Sequence, residues 1–501
     1  MAARRSDVMP RLSLATLSRL PEPLRPAVDP RALDVGIVHL GLGAFHRAHQ
    51  AVFTQAAIAA TGDTAWGIAG VTQRSRDVIS QLQPQDGLYS VVSRSSQTAV
   101  DVLVPMRELL FAQEQATELV GRIAAPTTHV VTLTVTEKGY RHDPATGRLR
   151  IGDSEIKADA DGRAPLTVVG QLVRGMQARQ RADAGPLTVV CCDNLHANGR
   201  TLARLVGDFC QLLPSSESAE IAEWIGANVS FPSTMVDRIV PATTAADLAD
   251  AARLLGLDDL GVVTAEPFMQ WVIEDSFVAA RPKWEAAGAI LTADVAPYEA
   301  MKLRLLNGSH SALAYLGLLA GYDYVAEFVE LDEVFAYVRA LMDDDVSPTL
   351  SVPDDFDVAD YKAQLMSRFA NRSLGHRTRQ IAMDGSQKLP QRLLGVIGEQ
   401  LARGVMPARA TLAVAGWMRY VSAGTDPRGH PISVDDPLAP LIAERVAGAV
   451  DASSIVDALL SIDQVFSLEL RENASLRSML VEQVESLAGK GVLATLRSLG
   501  T

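Results

Sequence analysis

The sequence predicts an α/β fold, in which a Rossmann-type, doubly wound sheet domain is followed by a mainly α-helical domain. From residue 34 onward, short apolar runs alternate with helical patterns, as in βαβ units built around a parallel sheet. A glycine-rich turn follows the first apolar run, where such sheets bind nucleotides. After about residue 294 the strand patterns largely stop. We therefore predict a dinucleotide-binding domain over residues 1–294 and a helical substrate and catalytic domain over residues 295–501.

Near-continuously apolar runs, typical of buried parallel strands, define the strands of the first domain. We predict strands at 35–40, 65–71, 130–135 and 187–191, and helices at 44–60 and 165–181. In the second domain the apolar spacing predicts helices at 298–319, 325–342, 360–369, 389–403 and 408–421, and further helices after 455.

Composition limits the function classes. The chain has 501 residues, 48% hydrophobic and 21% charged, which is ordinary for a globular protein of two to four domains. Its formal charge of −13 and pI of about 5.2 argue against a nucleic-acid partner. Anionic substrates stay open, because a local cluster of arginines can override the global sign.

The cysteines and the N-terminus indicate the compartment. Cys191 and Cys192 are adjacent, so they cannot form an ordinary disulfide, and they lack CxxC metal spacing. The N-terminus has no apolar core of a secretory signal, and no run approaches about 20 apolar residues. We expect a cytoplasmic protein without a membrane partner, either a monomer or a small homo-oligomer.

Three polar residues interrupt the helical pattern at 298–319 in the spacing K-x-x-x-x-N-x-x-H: Lys302, Asn307 and His310. At about 100° per residue, Asn307 lies about 140° and His310 about 80° around the helix from Lys302. All three can therefore face one cavity. They offer a proton-transfer group, a neutral donor and an orienting group, which suits reversible alcohol–ketone chemistry without a metal. On spacing alone, a helix-capping network fits equally well.

Gly41-x-Gly43, between a strand and a helix, begins a dinucleotide fingerprint. The third position of the fingerprint is His46 rather than glycine or alanine, so an ordinary turn stays open. Arg47 follows in the first helical turns, where it can contact a phosphate. The alternative is a solvent-facing side chain on an amphipathic helix.

The end of the second strand bears on cofactor choice. A carboxylate there would grip the ribose of NAD, but no acidic residue appears before Asp77. Arg74 and Arg76 lie there instead and can receive a 2′-phosphate, so NADP use stays open.

Other polar strings have two interpretations each. Asn198-Gly199 follows a strand end, where α/β sites form, and is also a common turn dipeptide. Asp237 and Arg238 lie inside an apolar run, where a buried ion pair is the structural alternative. Residues 377–388 form a dense polar stretch that fits an anion site or a capped loop.

Taken together, these strings resemble the mannitol dehydrogenase family of polyol-specific long-chain dehydrogenases. GLGAFHRAHQ, LTVTEKGY, CDNLHANG, SFPSTMVDRIVP and MKLRLLNGSH all match in order. The resemblance implies a Rossmann-type domain that binds a nicotinamide cofactor, a mainly helical C-terminal domain, and catalysis without a metal. We expect NAD(H) as the cofactor on this ground.

The resemblance implies roles for the catalytic residues. Lys302 looks like the family's general acid/base, and Asn307 and Asn198 look like its oxyanion-hole amides. His310 corresponds to a contact to a substrate hydroxyl. Glu299, one turn before the lysine, matches the carboxylate that gates proton exchange with solvent.

It also implies binding residues. Asp237 corresponds to a contact to a substrate hydroxyl, and Lys388 matches a residue on the substrate side. The predicted cofactor-binding set is Gly41, Gly43, Ala44, Phe45, Arg47, Arg74 and Glu137.

One departure bears on the substrate. Residues 376–392 look more like fructuronate reductases, because Gln380 lies where mannitol dehydrogenases are expected to have an arginine. A uronate carries a carboxylate that a hexitol lacks, so Arg377 or Arg379 is predicted to pair with it. We therefore rank D-fructuronate/D-mannonate oxidoreduction above mannitol 2-dehydrogenase. An inactive nucleotide-binding sensor is disfavoured by the intact Lys-Asn-His set.

Overall fold

The computed structural model describes residues 9–95, 97–143, 146–353 and 356–499. The chain divides into two compact units, Met1–Val295 and Ala296–Thr501. This division lies one residue from the boundary expected from the sequence. The roles assigned to the two parts stay predictions.

The first unit contains the described strands of the chain. They are β1 Val35–Leu40, β2 Gly67–Thr72, β3 Tyr89–Arg94, β4 Thr98–Leu103, β5 Met106–Phe111, β6 Val130–Leu133, β7 Leu187–Cys191, β8 Val229–Ser230, β9 Thr234–Asp237, β10 Val263–Ala265, β11 Gln270–Glu274 and β12 Ile290–Thr292.

Six parallel strands form the main sheet in the order β5-β2-β1-β6-β7-β8. This is the doubly wound Rossmann order, and the direction of winding reverses between β1 and β6. The central strands are buried along nearly their whole length. The predicted fold class is therefore confirmed. Two smaller sheets, β10-β3-β4 and β12-β11-β9, accompany the main sheet.

The helices of the first unit are α1 Ala44–Ala48, α2 Gln50–Thr61, α3 Asp77–Leu82, α4 Ala116–Ala124, α5 Ser154–Ala160, α6 Val168–Arg181, α7 Asn198–Cys210, α8 Ser215–Asn228 and α9 Ala245–Leu255. Short 3₁₀ turns lie at Leu17–Arg19, Glu22–Leu24, Pro30–Ala32, Gln83–Gln85, Glu137–Tyr140 and Trp284–Ala287.

The helix expected over residues 44–60 is broken at His49. This residue leaves the helical region with φ −130° and ψ −86°. Its ring packs at 5.0 Å from Phe45, 5.2 Å from Phe53 and 5.8 Å from Trp271, and its Nε2 lies 2.9 Å from the carbonyl oxygen of Gln270. These tertiary contacts override the continuous helical spacing.

The second unit is helical in its described residues. Its α-helices are α10 Ala296–Met301, α11 Gly308–Leu319, α12 Val325–Val329, α13 Asp332–Ala340, α14 Val358–Phe369, α15 Thr378–Ala382, α16 Gly385–Leu389, α17 Gly395–Ala402, α18 Ala408–Ser422, α19 Ala439–Val446, α20 Ala452–Leu460, α21 Leu468–Arg471, α22 Ala474–Gly489 and α23 Val492–Ser498. Short 3₁₀ turns lie at Ser347–Thr349 and Arg372–Leu374.

Wide π turns join several of these helices, at Lys302–Asn307, Leu341–Val346 and Pro390–Leu394. The predicted helix over residues 298–319 therefore forms as α10, a π turn and α11.

Cys191, Cys192 and Cys210 are buried free thiols. Within the described ranges, no helix is both long enough and apolar enough to cross a bilayer.

Candidate cofactor and catalytic sites

The glycine turn lies where the winding of the main sheet reverses, the usual place for a nucleotide in this fold. Gly41 has φ +98°, and a Cβ there would lie 2.2 Å from the carbonyl oxygen of Thr134, so this position needs glycine for the turn itself. Gly43 has an ordinary φ of −117°, and a Cβ there would meet nothing closer than 3.7 Å. The chain itself does not require glycine at residue 43, which fits close approach of a ligand.

His46 occupies the third position of the fingerprint, where a glycine would allow the helix to pack closely on the strand. It is buried, and its ring stacks on that of His39 in β1, with centroids 3.4 Å apart and planes 14° apart. The two nitrogens of His39 lie 2.8 and 2.9 Å from the hydroxyls of Thr132 and Thr134. Burial lowers the pKa of His39 to about 3 and that of His46 well below its ordinary value. Two neutral imidazoles thus pack the helix against the strand.

Arg47 does not present its charge to a ligand. It is buried, and its guanidinium donates to the carbonyl oxygens of Gly261 at 2.6 Å and Gly43 at 3.3 Å. It also lies 5.7 Å from the centre of the Tyr89 ring. The expected phosphate contact is therefore corrected to a structural role, and the solvent-facing alternative is wrong as well. Ala44 and Phe45 are half-buried beside it.

The other residues considered for the cofactor lie after two different strands, β2 and β6. Arg76 forms an ion pair with Glu114 and lies 5.3 Å from the ring centre of Phe111. Arg74 is exposed and, among the described residues, forms no ion pair. Glu137 is exposed at the start of the 3₁₀ turn that follows β6, on the far side of the switch point.

A buried network closes the ends of β6 and β7. The Asp193 carboxylate accepts hydrogen bonds from the backbone of Val135 at 3.0 Å and Thr136 at 2.8 Å, and from the Tyr140 hydroxyl at 2.6 Å. Burial raises the pKa of this carboxyl group, while the hydrogen bonds oppose the rise. The network fixes the loop that carries Glu137. Sequence reasoning passed over Asp193, although it begins the DNLHANG string.

Asn198 is tied to the same loop. Its amide nitrogen donates to the carbonyl oxygens of Asp193 at 2.9 Å and Thr234 at 3.0 Å, and its amide oxygen accepts from the backbone N–H of Thr234 at 2.9 Å. Both amide hydrogens are thus engaged by the backbone, which does not fit the predicted oxyanion donor. The geometry gives Asn198 a positioning role, joining the end of β7 to β9.

Asp237 and Arg238 are adjacent and both buried, but their surroundings differ. Arg238 donates to the carbonyl oxygen of Glu266 at 2.9 Å and to the Ser93 hydroxyl at 3.1 Å, and also contacts the carbonyl of Ala48. Burial lowers the pKa of Arg238 to about 10. Asp237 ends β9 and is 4% exposed.

In the helical unit, the candidate catalytic residues lie on and after a π turn. The backbone N–H of Gly308 bonds to the carbonyl of Leu303, five residues earlier, instead of four. A wider turn advances less than 100° per residue, so Lys302 and Asn307 lie closer to one face than the α-helical estimate gave. The angle of about 140° is therefore corrected to a smaller one.

The opposite side of this turn is anchored by Arg304. Its guanidinium makes a two-pronged contact with Glu399, at 2.9 and 2.6 Å, and donates to the carbonyl of Thr349 at 2.8 Å. Single-turn π segments inside helices often mark functional sites. Here the anchoring holds the wide turn in place.

His310 is set up as a neutral contact. It is 7% exposed, and its Nε2 has no hydrogen-bond partner among the described residues. Its ring lies 4.7 Å from Phe369 and 5.0 Å from His376. Burial lowers its pKa well below the ordinary value, and His376 and nearby arginines add to the effect. The uncharged ring can therefore exchange hydrogen bonds with a hydroxyl. Lys302, at 9% exposed, is also buried.

Sequence reasoning missed two residues of this cluster. Arg392 donates to the Ser311 hydroxyl at 3.1 Å and to the carbonyl of Asn307 at 3.4 Å. His376 is kept neutral by burial, which lowers its pKa to about 4. These two residues are the first and the last of residues 376–392. Nothing in that stretch of sequence distinguishes Arg392 from the other arginines.

Two further predicted residues of the helical unit are Lys388 and Glu299. Lys388 donates to the carbonyls of Met383 at 2.6 Å and Ile381 at 3.4 Å. Glu299 is half-buried in α10, one turn before Lys302.

Arg377 and Arg379 lie on the wall of a cavity that Lys302 does not line. The cavity has a volume of about 460 Å³ and is also lined by Leu318, and Asn307 and His310 are absent from its walls as well. Leu318 lies eight residues after His310, or about 12 Å along α11. The pairing of Arg377 or Arg379 with a substrate carboxylate stays a prediction, and Arg392 is the arginine that contacts Asn307.

The comparisons with known proteins cover nearly the whole chain. Residues 35–286 match the mannitol dehydrogenase Rossmann domain, and residues 294–488 match the mannitol dehydrogenase C-terminal domain. The D-mannonate oxidoreductase of Escherichia coli (strain K12) is 41% identical over 475 residues, which cover 93% of this chain and 96% of that protein. The oxidoreductase YdfI of the same organism is 43% identical, over 94% and 96% of the two chains.

A solved structure is similar over the same length. Pseudomonas fluorescens mannitol 2-dehydrogenase, in a ternary complex with NAD and D-mannitol, is 36% identical and has a TM-score of 0.85. The match covers 98% of this chain and 99% of that one.

The two turn glycines should separate folding from cofactor binding. We expect Gly43→Ala to weaken NADH binding by at least about tenfold, because a methyl group would occupy the space for the pyrophosphate. The midpoint of urea unfolding should not fall, since the nearest atom of the chain to the methyl group lies at an ordinary contact distance of 3.7 Å. Fluorescence titration with NADH and urea denaturation measure the two effects.

Gly41→Ala is the matched variant at the same turn. It should lower the unfolding midpoint, because its Cβ would collide with the backbone of Thr134. Unchanged NADH affinity in Gly43→Ala would contradict the assignment of this turn to the cofactor.

Proposed function

The chain belongs to the mannitol dehydrogenase family, and we propose that it interconverts D-fructuronate and D-mannonate with NAD(H) as the hydride carrier. The broader activity is NAD-dependent oxidoreduction of a CH–OH group in a polyol or sugar acid, and it accords with the family. The finer substrate assignment is our proposal.

The Lys302–Asn307–His310 set is the observation that carries the proposal; Lys302 and His310 are buried and Asn307 is half-buried. The π turn draws Lys302 and Asn307 toward one face, and His310 keeps a buried nitrogen without a partner. Lys302 donates its proton to the ketone oxygen during reduction and takes it back during oxidation. Asn307 donates a hydrogen bond to the same oxygen, which a neutral amide can do without titrating. His310 orients a neighbouring hydroxyl.

The glycine turn supports NAD(H) as the partner of this set. Gly43 leaves the backbone open at the switch point, and the 36% identical mannitol 2-dehydrogenase was solved with NAD. Bound NADH supplies the hydride for the carbonyl carbon. Of the two arginines that favoured a 2′-phosphate, Arg76 is already paired with Glu114, which supports NAD over NADP.

Two observations support a sugar acid as the substrate. The chain is 41% identical to a D-mannonate oxidoreductase. Arg392 holds a guanidinium beside Asn307 and Ser311, and a charged, two-pronged contact to a carboxylate exceeds a neutral hydrogen bond in strength. The alternative is mannitol 2-dehydrogenase activity, which the similarity to the D-mannitol complex supports.

Removal of the lysine tests the proton-transfer role. Lys302→Ala should lower kcat by about 10²–10⁴-fold, the usual scale for general acid–base catalysis, while the Kd for NADH stays unchanged. Lys490→Ala, at an exposed lysine, is the control and should behave as wild type. Steady-state kinetics and NADH titration give both quantities. Turnover close to wild type in Lys302→Ala would exclude this lysine as the acid.

The substrate is tested by comparing kcat/KM for D-fructuronate and D-fructose. We expect D-fructuronate to be preferred by about two orders of magnitude, because D-fructose lacks the carboxylate that Arg392 contacts. Each factor of ten in kcat/KM corresponds to about 1.4 kcal/mol of transition-state stabilisation. Arg392→Met should remove most of this preference by weakening D-fructuronate alone. Arg392→Lys, which keeps the charge but loses the planar fork, should lie between the two.

Two outcomes would count against this substrate. A wild-type preference for D-fructose would favour the mannitol 2-dehydrogenase alternative. An equal loss for both substrates in Arg392→Met would leave Arg392 as a structural support of the π turn.

A further inference from the structure

Charged side chains line the cavity around Arg377 and Arg379, which we name the arginine cavity. Its charged walls are Arg377, Arg379, Arg428, Asp323 and Asp426. At about 460 Å³ it falls in the size range of small-molecule sites. Lys302, Asn307 and His310 do not line it, so their proposed roles do not explain the charged side chains of its walls.

The acidic residues of the cavity are already engaged. Arg428 holds Asp323 through two parallel bonds of 2.9 Å, and its Nε lies 3.2 Å from Asp426. The Asp426 carboxylate also accepts from the backbone N–H groups of Arg428 and His430, at 2.9 and 2.8 Å. Arg428 therefore contacts both carboxylates of the cavity, and the Nδ1 of His430 lies 3.3 Å from that of Asp426.

The other two arginines are not matched in this way. Within the part of the chain that the structure describes, neither Arg377 nor Arg379 forms a hydrogen bond or an ion pair through its side chain. Arg377 lies over the ring of Tyr324, 5.1 Å from its centre. The walls thus hold three guanidinium groups against two carboxylates, a surplus of one positive charge, and Arg377 and Arg379 are the two arginines without an ion pair among the described residues.

The backbone that carries these arginines is well fixed. Thr378, between them, donates its backbone N–H to the carbonyl of Asp323 at 3.0 Å and its hydroxyl to that of Tyr322 at 2.9 Å. The N–H of Val325 bonds to the carbonyl of His376 at 3.0 Å. The guanidinium groups are therefore presented from a fixed segment, which limits the entropy lost when a ligand binds.

The rest of the wall is less polar. Leu318, Ile432 and Pro431 contribute apolar surface, and the buried Tyr420 adds a ring whose hydroxyl lies 3.4 Å from the carbonyl of Ser433. A ligand that suits these walls has an oxyanion group for the two arginines and a short body.

We propose that the arginine cavity is a second binding site, for a small oxyanion of the carboxylate or phosphate class, separate from the site where the ketone reacts. Planar guanidinium groups bind both kinds of oxyanion through paired hydrogen bonds. The site goes beyond the proposed oxidoreductase function and does not depend on which sugar is reduced.

Isothermal titration calorimetry on the full-length enzyme tests the proposal, with inorganic phosphate and citrate as probes. Citrate represents carboxylates, and its tertiary alcohol has no hydrogen on the carbinol carbon to give up as hydride. We expect saturable binding of at least one probe to a single site per chain, weakening as salt is added. Binding of phosphate alone or of citrate alone identifies which oxyanion the site takes.

The variants locate the binding. The Kd for the bound probe should rise by at least about tenfold in Arg377→Met/Arg379→Met, and less in Arg379→Met alone, as each charged contact is removed. Arg372→Met is the control, because Arg372 is exposed in the same segment and pairs with Glu330 outside the cavity. Its affinity should match that of wild type. If the double variant does not fold, Arg379→Met alone decides the matter.

Three results would overturn the proposal. One is the absence of saturable binding of either probe to the wild-type enzyme at about 10 mM, which corresponds to negligible affinity. Another is wild-type affinity in the variants. The third is a selective loss of D-fructuronate turnover in the double variant but not in Arg392→Met, which would return these arginines to the reacting substrate. A failure of the proposed sugar specificity would leave the calorimetric result unaffected.

Discussion

The wide turn between Lys302 and Asn307 is the constraint on which the candidate catalytic set depends. An α-helix would leave these residues well apart around the helix, whereas a bond from residue 308 to residue 303 draws them toward one side. The turn is held from two directions. Arg304 bridges to Glu399 on one side, and on the other a Cβ at Gly308 would approach the carbonyl of Arg392 to 3.1 Å. A second π turn, Pro390–Leu394, packs against the first. Close backbone packing and one ion pair thus fix the turn that carries Lys302, the proposed proton donor.

In the sheet unit, some residues near the switch point stabilise the backbone and others leave space for a ligand. Gly41 serves the turn, whereas Gly43 leaves space that the chain does not use. The stacked His39 and His46 rings take over the packing that a third glycine would allow. Asp193 and Asn198 are engaged with the backbone and fix the neighbouring strand ends. Polar residues near the switch point therefore serve mainly to hold it in shape.

Much of this could be predicted from the sequence, for identifiable reasons. Buried parallel strands such as β1 and β7 are continuous apolar runs, so their positions follow from hydrophobicity. The π turn could not be predicted, because its apolar spacing also fits an α-helix. The roles of Arg47 and Asn198 depend on carbonyl groups far away in sequence, at Gly261 and Thr234. Likewise, the local sequence does not distinguish Arg392 from Arg379, and only tertiary packing brings Arg392 to Asn307 and Arg379 to the wall of the arginine cavity.

Chemical rescue of the lysine-free enzyme tests the central claim, that Lys302 delivers the proton to the ketone oxygen, most directly. Lys302→Ala, loaded with NADH and D-fructuronate, would be mixed with small primary ammonium ions of different pKa, and hydride transfer would be followed by the loss of NADH absorbance. We expect the rate to rise in proportion to amine concentration and to depend on amine pKa, as general acid catalysis requires. A variant that binds NADH and substrate normally, yet gains no rate from any amine that fits the space of the missing side chain, would contradict the account.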